Sequence, residues 1–361
     1  MKKYCFFLYA LVFFSCSSQH EIENVEIINF TDPLHIEDDI KDWIQIEKSV
    51  QLAIPDFVFI GKVAQIEFSD SELFFLEDGI NASILVFDIE GNFRNQLIKP
   101  GTGPGEYSQI EFFVLREKSI LVYDRSMQKL IDYSRSDFSV LQEYKTQDYF
   151  VGGIGLSKDR TFLVSDSDLE LDIYKGYGFF NSDLSQPIYR MQPAGYVEAF
   201  LPQSISQIQK QILLVQPFSE KVFRIEMDSL KLTHQLDFGS KKIPAEASSF
   251  SDAEDLYESL ANGSYYFATH NLLFYEGSVG FNFYNENVDN LNFGLIQNGK
   301  AYRFSIDSDL KELFLKPIAV REGLFHTVLL PGEYDEKVIE LLNLTEVDYE
   351  KPILVSYTIG Q

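Results

Sequence analysis

The sequence predicts an all-β protein, specifically a six-bladed β-propeller, and three observations lead there. First, a phrase of apolar strand, short polar turn and second apolar strand keeps returning: LVFDIEGNFRNQL (Leu85 to Leu97), KLIDYSRSDFSVL (Lys129 to Leu141), GFFNSDLSQPI (Gly178 to Ile188), FRIEMDSLKLTHQL (Phe223 to Leu236) and FGLIQNGKAYRF (Phe293 to Phe304). Second, the first apolar residues after each turn, Phe93, Phe138, Leu184, Leu230 and Ala301, are spaced by 45, 46, 46 and 71 residues. A strand-only repeat of about 40–50 residues is the signature of propeller blades of four strands each. Third, six apolar second strands follow this rhythm, at Leu73 to Leu76, Ser119 to Asp124, Thr161 to Asp166, Ile212 to Pro217, Val279 to Tyr284 and Leu324 to Leu330. Their alternation is imperfect, as expected for sheets covered on both faces by neighbouring blades.

The other elements follow in chain order. Asn24 to Phe30 alternates as a strand, and Asp38 to Trp43 reads as a loop or short helical turn. The main body opens at Ile44, with strands at Phe57 to Ile60, Val63 to Phe68 and Ile84 to Asp88 besides those named above. Ser251-Asp252-Ala253-Glu254 has the form of a capping box. Leu256, Tyr257 and Leu260 follow it, then Asn262-Gly263 as a stop, which predicts a helix in the long gap, in blade five. A second helical stretch, Asp335 to Leu342, lies near the C-terminus. Pro352 to Ile359 is apolar and β-rich, suited to closing the ring with N-terminal strands, since an open ring would leave an unpaired edge.

The chain starts MKKYCFFLYALVFFSC: Lys2 and Lys3, an apolar run from Tyr4 to Phe14, then Ser15 and Cys16. That run fits a secretory leader and is shorter than the roughly 20 residues a membrane-spanning helix needs. The end of the leader resembles the lipobox of bacterial lipoproteins, in which the cysteine is acylated, although Phe13-Phe14-Ser15 departs from its usual Leu-Ala-Gly form. The expected organisation is a leader over 1–15, a lipid-anchored tether and N-terminal strand over 16–40, and the propeller over 41–361. Cys5 falls inside the leader, so no disulfide is available after cleavage. The net charge of −25 argues against nucleic acid and anionic lipid surfaces as partners, leaving membrane attachment to the lipid alone.

Candidate chemistry is sparse. Gly101-Thr102-Gly103-Pro104-Gly105-Glu106-Tyr107 is glycine-rich, but its spacing is wrong for a phosphate loop, Pro104 removes a donor, and Glu106 sits where an anion would bind. It reads as a tight crossover between blades, with Tyr107 as anchor. The segments GKVAQIEFSDSELFFLED, ILVFDIEGNF and GTGPGEY, within about Ile60 to Tyr107, closely resemble the opening blade of six-bladed propeller lipoproteins abundant in Bacteroidetes. Those carry a G-x-G-P-G-E-[YF] phrase after an [VI]-F-[DN]-x-x-G-x-[FL] strand pair and are related to NHL-repeat and TolB-like propellers. The resemblance implies a propeller fold and a cell-envelope location, with no activity attached.

His20, His35, His234, His270 and His326 lack metal-ligand spacing, and the acidic run Asp166, Asp168, Glu170, Asp172 lacks the turn of a calcium loop. No cofactor is expected, with calcium in the central channel the one open alternative. No G-x-S-x-G elbow occurs. The ligand-binding candidates are Tyr257, Tyr265, Tyr266, Tyr284, Asn285 and Asn287, because flat rings stack on sugars and amides pair with hydroxyls; packing within blade five is the competing account. The sequence therefore favours a monomeric, non-enzymatic, exported envelope lipoprotein that recognises a glycan, a peptide or an envelope protein. A propeller lyase or hydrolase is the alternative.

Overall fold

The structure, a computed structural model, describes residues 25–37, 39–146, 150–157, 160–166, 176–181, 187–191, 205–208, 211–215, 218–226, 229–245, 253–261, 263–275 and 277–360. Three short strands come first: β1 (Glu26–Asn29), β2 (Leu34–Ile36) and β3 (Ile44–Gln51). Blade one is β4 (Val63–Phe68), β5 (Glu72–Glu77), β6 (Ser83–Asp88) and β7 (Phe93–Leu97). Blade two is β8 (Phe112–Leu115), β9 (Ser119–Asp124), β10 (Lys129–Ser134) and β11 (Val140–Lys145). Blade three is β12 (Phe150–Ser157), β13 (Arg160–Asp166), β14 (Gly176–Asn181) and β15 (Pro187–Met191). Blade four is β16 (Ile205–Ile208), β17 (Gln211–Val215), β18 (Lys221–Glu226) and β19 (Ser229–Asp237), followed by helix α1 (Ala253–Ala261). Blade five is β20 (Tyr266–Tyr275), β21 (Ser278–Asn285), β22 (Asn287–Gln297) and β23 (Lys300–Ser305), followed by helix α2 (Asp309–Leu315). The chain ends with β24 (Ala319–Arg321), β25 (Leu324–Leu329), helix α3 (Glu336–Leu341) and β26 (Ile353–Ile359).

Each blade is an antiparallel run because a polar turn reverses the chain between apolar strands. In the first, the Asp88 carboxylate accepts from the backbone N–H of Glu90 (3.1 Å) and Asn92 (2.8 Å), while Gly91 takes a positive φ of 83°. The middle strands β6 and β9 are buried along their whole length. That explains why they read as continuous apolar runs rather than alternating ones. The innermost strands pack side by side, β4 beside β8 and β24, β12 beside β8 and β16, and β16 beside β20, which encloses a central channel.

Six blades, with a helix in blade five and another near the C-terminus, were expected; the structure corrects this. Five blades rather than six are built from four consecutive strands each. The remaining sheet is a composite, in the order β24-β25-β26-β3, in which β26 pairs with β3 from Ile353↔Gln51 to Ile359↔Ile44. Two of the blades also carry a fifth strand, because β1 adds in parallel to β19 and β2 in parallel to β23. These additions cover outer edges that would otherwise offer unpaired backbone. Phe30, fully buried among Phe238, Tyr266, Phe281 and Phe283, fastens the N-terminal segment between blades four and five. Trp43 does the same against Tyr302 and Phe304.

The helices are few and short. α1 precedes blade five rather than interrupting it, and α3 sits inside the composite sheet, capped by Asp335, whose side chain accepts from the N–H of Lys337 and Val338. α2 was not foreseen. Its Ser308 cap accepts from Lys311 N, and Phe314 and Leu315 are buried in the largest apolar cluster, between blade five and the composite sheet. Phe57 to Ile60, expected as a strand, is irregular chain. No helix among the described residues is long and apolar enough to cross a membrane.

Candidate functional site

The segment between β3 and β4 runs along the seam where the composite sheet meets blade one. Backbone bonds from distant parts of the chain set its course: Leu52 N donates to Pro352 O and Ala53 N to Gly91 O, both at 2.9 Å. Val58 is buried, so the flanking rings point outward, leaving Phe57 65% and Phe59 58% exposed. Ile80, on the β5–β6 turn, is 60% exposed. Beneath them lies Glu77, fully buried. Its Oε1 accepts from the N–H groups of Gly61 (3.1 Å), Gly79 (2.8 Å) and Ile80 (2.8 Å), and its Oε2 from Asn81 (2.8 Å). Gly61 and Gly79 pack backbone to backbone, since a Cβ on Gly79 would lie 2.8 Å from the Gly61 carbonyl carbon. The turn that presents Ile80 is therefore tied to the end of the segment that carries Phe57 and Phe59. Beside them is a cavity of about 500 Å³ lined by Ile54, Pro55, Val58, Phe59, Ile80, Pro331 and Pro352, with Asp56, Asp348, Glu350 and Lys351 also on its wall. The Glu350 backbone N–H and the Lys351 ammonium hold the Asp348 carboxyl below its ordinary value, so this rim is net negative.

The second concave feature is the channel. Its lumen, about 170 Å³, is lined by the inner strands of the five blades and the composite sheet. The lining is mostly aliphatic and aromatic; Gln65, Glu67 and Asn271 are its polar side chains among the described residues. Gln65 bridges blades one and two by imitating a strand neighbour, accepting from Phe113 N (3.0 Å) and donating to Phe113 O (2.7 Å). Its Nε2 also donates to Glu67 Oε1 at 3.0 Å. Burial pushes the Glu67 carboxyl up to about 7, which the Gln65 hydrogen bond only partly opposes. The side chain keeps some accessible surface, but it lines the lumen of a closed ring, so enclosure by protein decides its solvation.

The aromatic and amide residues singled out in the sequence are not brought to one open surface. Tyr266 is buried against Phe30, Phe238 and Phe283, and Asn285 is buried with its Oδ1 unpartnered. Tyr284 is half-buried beside Phe267 and His270, and Tyr265 packs against the cluster that docks α1 through Leu256 and Leu260. Asn287 is exposed, its Oδ1 accepting from Asp289 N, and Tyr257 lies on α1. The asparagines do form a ladder across blade five: Asn271 Nδ2 donates to Asn282 Oδ1, and Asn282 Nδ2 donates to the carbonyls of Asn292 and Leu315, the latter ending α2. Cys16 and the acidic positions 168, 170 and 172 lie outside the described residues.

The glycine-rich phrase links blades one and two. Gly101 N donates to Tyr107 O, and Gly103 N donates to the Glu106 carboxylate at 2.8 Å. Tyr107 OH accepts from Lys99 N and donates to Leu97 O; burial pushes its phenol up to about 12. Pro104 precedes Gly105, which has φ 69° and lies so close to blade two that a Cβ would meet Val140 Cγ2 at 2.3 Å. Gly105→Ala is expected to cost about 1–3 kcal/mol from left-handed backbone and overlap together. A denaturation midpoint equal to that of the parent protein would show that the crossover yields without cost.

With this geometry in hand, the family model for a domain of unknown function, DUF4934, is found to match residues 25–357. The chain belongs to the DUF4934 family. No curated protein matches it. Among solved structures, a Bacteroides fragilis protein described as exported overlays with a TM-score of 0.74 at 19% identity, covering 93% of this chain and 100% of that one. At that identity the likeness shows the propeller fold alone. A streptogramin B lyase (TM-score 0.46, 11% identity, 89% of this chain and 100% of that one) and a hydrazine synthase from Kuenenia stuttgartiensis (0.41, 10%, 71% and 69%) overlay too loosely to carry an argument. The match is thus to DUF4934, and kinship with NHL-repeat and TolB-like propellers stays an expectation of the sequence.

Sequence reasoning missed the seam cavity and the channel. Phe57, Phe59 and Ile80 read as ordinary strand and turn residues, and Glu67 and Glu77 as two among 55 acidic side chains. Only Glu77 left a trace, in the Glu-Asp-Gly turn that follows β5, where a carboxylate, a glycine and a tight reversal coincide.

Proposed function

We propose that this chain is an exported, envelope-anchored recognition or scaffold module that holds a partner polypeptide at the seam between the composite sheet and blade one. The observation that carries the reading is the exposed Phe59 and Ile80 on the cavity wall, with Phe57 exposed on the same segment and the buried Glu77 carboxylate pinning the backbone at Gly61, Gly79 and Ile80. Apolar side chains exposed together beside a concave surface mark interaction sites, and binding is stronger when the anchors are already ordered. Prolines and aliphatic side chains line the adjacent cavity, which suits an apolar anchor better than a sugar face. The acidic rim favours a segment with basic flanks. Export is supported by the leader ending at Cys16 and by the exported description of the Bacteroides fragilis protein of like fold.

The alternative, a hydrolase or lyase working in the channel, draws on Glu67, whose raised carboxyl would serve as a general acid or base. The lumen of about 170 Å³ is smaller than the roughly 300–1,000 Å³ of typical ligand pockets, which weighs against it.

Photo-crosslinking in intact producing cells tests the docking reading. A photoreactive residue at position 59 is expected to give one discrete adduct, absent when the probe sits at position 300 on blade five and lost with Ile80→Ser. The same adducts from both positions, or indifference to Ile80→Ser, would overturn it.

A further inference from the structure

The channel lumen lies apart from the seam and shares no lining residue with its cavity. We infer that the channel lumen binds a primary alkylammonium ion, its charged end on the Glu67 carboxylate and its hydrocarbon part among the side chains of Ile66, Ile154, Ile212, Leu273 and Ile318. The chemistry of the cavity selects this class. Glu67 is the one ionisable side chain among the described residues that line the lumen. An anion would meet that carboxylate with nothing to offset it, and a neutral ligand would leave it uncompensated. Calcium needs about six to eight oxygen ligands, whereas the lining offers one carboxylate and two side-chain amides amid hydrocarbon. No group of three or more His, Cys, Asp or Glu able to hold a metal occurs among the described residues.

Size narrows the class. A lumen of about 170 Å³ falls below the roughly 300–1,000 Å³ of drug-sized ligand pockets, so the ligand is a small one. n-Butylammonium, which matches a lysine side chain beyond its Cα, is a probe of that class. Gln65 supports the assignment by geometry. It is clamped on the Phe113 backbone and spends one amide hydrogen on Glu67 Oε1, which fixes the carboxylate while leaving Oε2 for the ligand.

The experiment is thermal unfolding of the full chain at pH 8, titrated with n-butylammonium chloride, Nα-acetyl-lysine methylamide, n-butanol and calcium chloride. The same titrations are repeated on Glu67→Gln, which keeps the shape and an acceptor oxygen for Gln65 and removes the charge. Near-saturating butylammonium is expected to raise the melting temperature by about 2–4 °C, while butanol and calcium leave it unchanged. Glu67→Gln should abolish the shift while remaining folded. A response to the lysine derivative as well would identify a side chain of another protein as a source of the ammonium group. A response to butylammonium alone would identify free amines. No shift with either amine, an equal shift in Glu67→Gln, or a response to calcium alone would overturn the inference.

Discussion

Glu67→Gln raises the melting temperature at pH 8 and leaves it nearly unchanged at pH 4. The folded carboxyl titrates at about 7 against an ordinary value of 4.5, so the folded state favours the protonated form. Below pH 4.5 the acid is neutral in folded and unfolded chains alike, and the site costs nothing. As pH rises from 4.5 through 7 the unfolded chain releases its proton first, and the cost grows until the folded carboxyl ionises too. A displacement of this size corresponds to about 3 kcal/mol at pH 8. Glutamine is neutral throughout and escapes the cost, so the gain should open across that window. Parallel unfolding curves for variant and parent between pH 4 and 8, or a loss of stability at pH 8, would show that the lumen solvates Glu67 well.

The strand rhythm was legible because a propeller repeats one local solution: an Asp- or Asn-bearing turn flanked by apolar strands, spaced to pack blade on blade. Phe93, Phe138 and Leu230 each start or adjoin an outer strand, and the second strands from Leu73 to Leu330 coincide with β5, β9, β13, β17, β21 and β25. That Pro352 to Ile359 closes the ring with an N-terminal strand was legible for the same reason, but not which one: it pairs with β3, whereas β1 and β2 add to β19 and β23. α2 was not. Its Ser308 cap is followed at the third position by Lys311 rather than Glu or Gln, and seven residues give little periodicity to read.

The sites were hidden by a different cause. Phe57, Val58 and Phe59 do alternate out, in and out, so the sequence pattern is real, but the backbone here closes a local turn, Val58 N donating to Pro55 O, instead of pairing with a neighbouring strand. Glu67 sits on β4 where an alternating pattern would place a solvated residue. It becomes enclosed only because the inner strands of six sheets, from chain segments more than 200 residues apart, close around it. Tyr266 and Asn285 show the converse. A cluster of aromatics and amides resembles a sugar platform in one dimension, and much of it is spent on packing the N-terminal segment and α1 onto blade five.

Glu77→Ala is expected to be the most damaging single substitution at the seam. The carboxylate satisfies four backbone N–H groups from two loops, and alanine leaves all four without a protein acceptor. Hydrogen bonds to a charged group contribute about 1.5–3 kcal/mol each, and four sharing one acceptor do not add fully, so a loss on the order of 3–5 kcal/mol is expected. Glu77→Gln should cost about half as much. Its carbonyl oxygen can retain the Gly79 and Ile80 bonds, but its amide nitrogen then faces the Asn81 N–H, donor against donor. The ordering alanine, then glutamine, then parent in denaturation midpoint is the signature of an acceptor site; equal effects of the two variants would point to packing volume instead. Glu77→Gln also separates stability from docking. At a temperature where the variant is fully folded, the adduct formed at position 59 should still weaken, because Ile80 has lost part of the frame that presents it. Undiminished crosslinking in that folded variant would mean that the apolar trio binds without needing to be held in place.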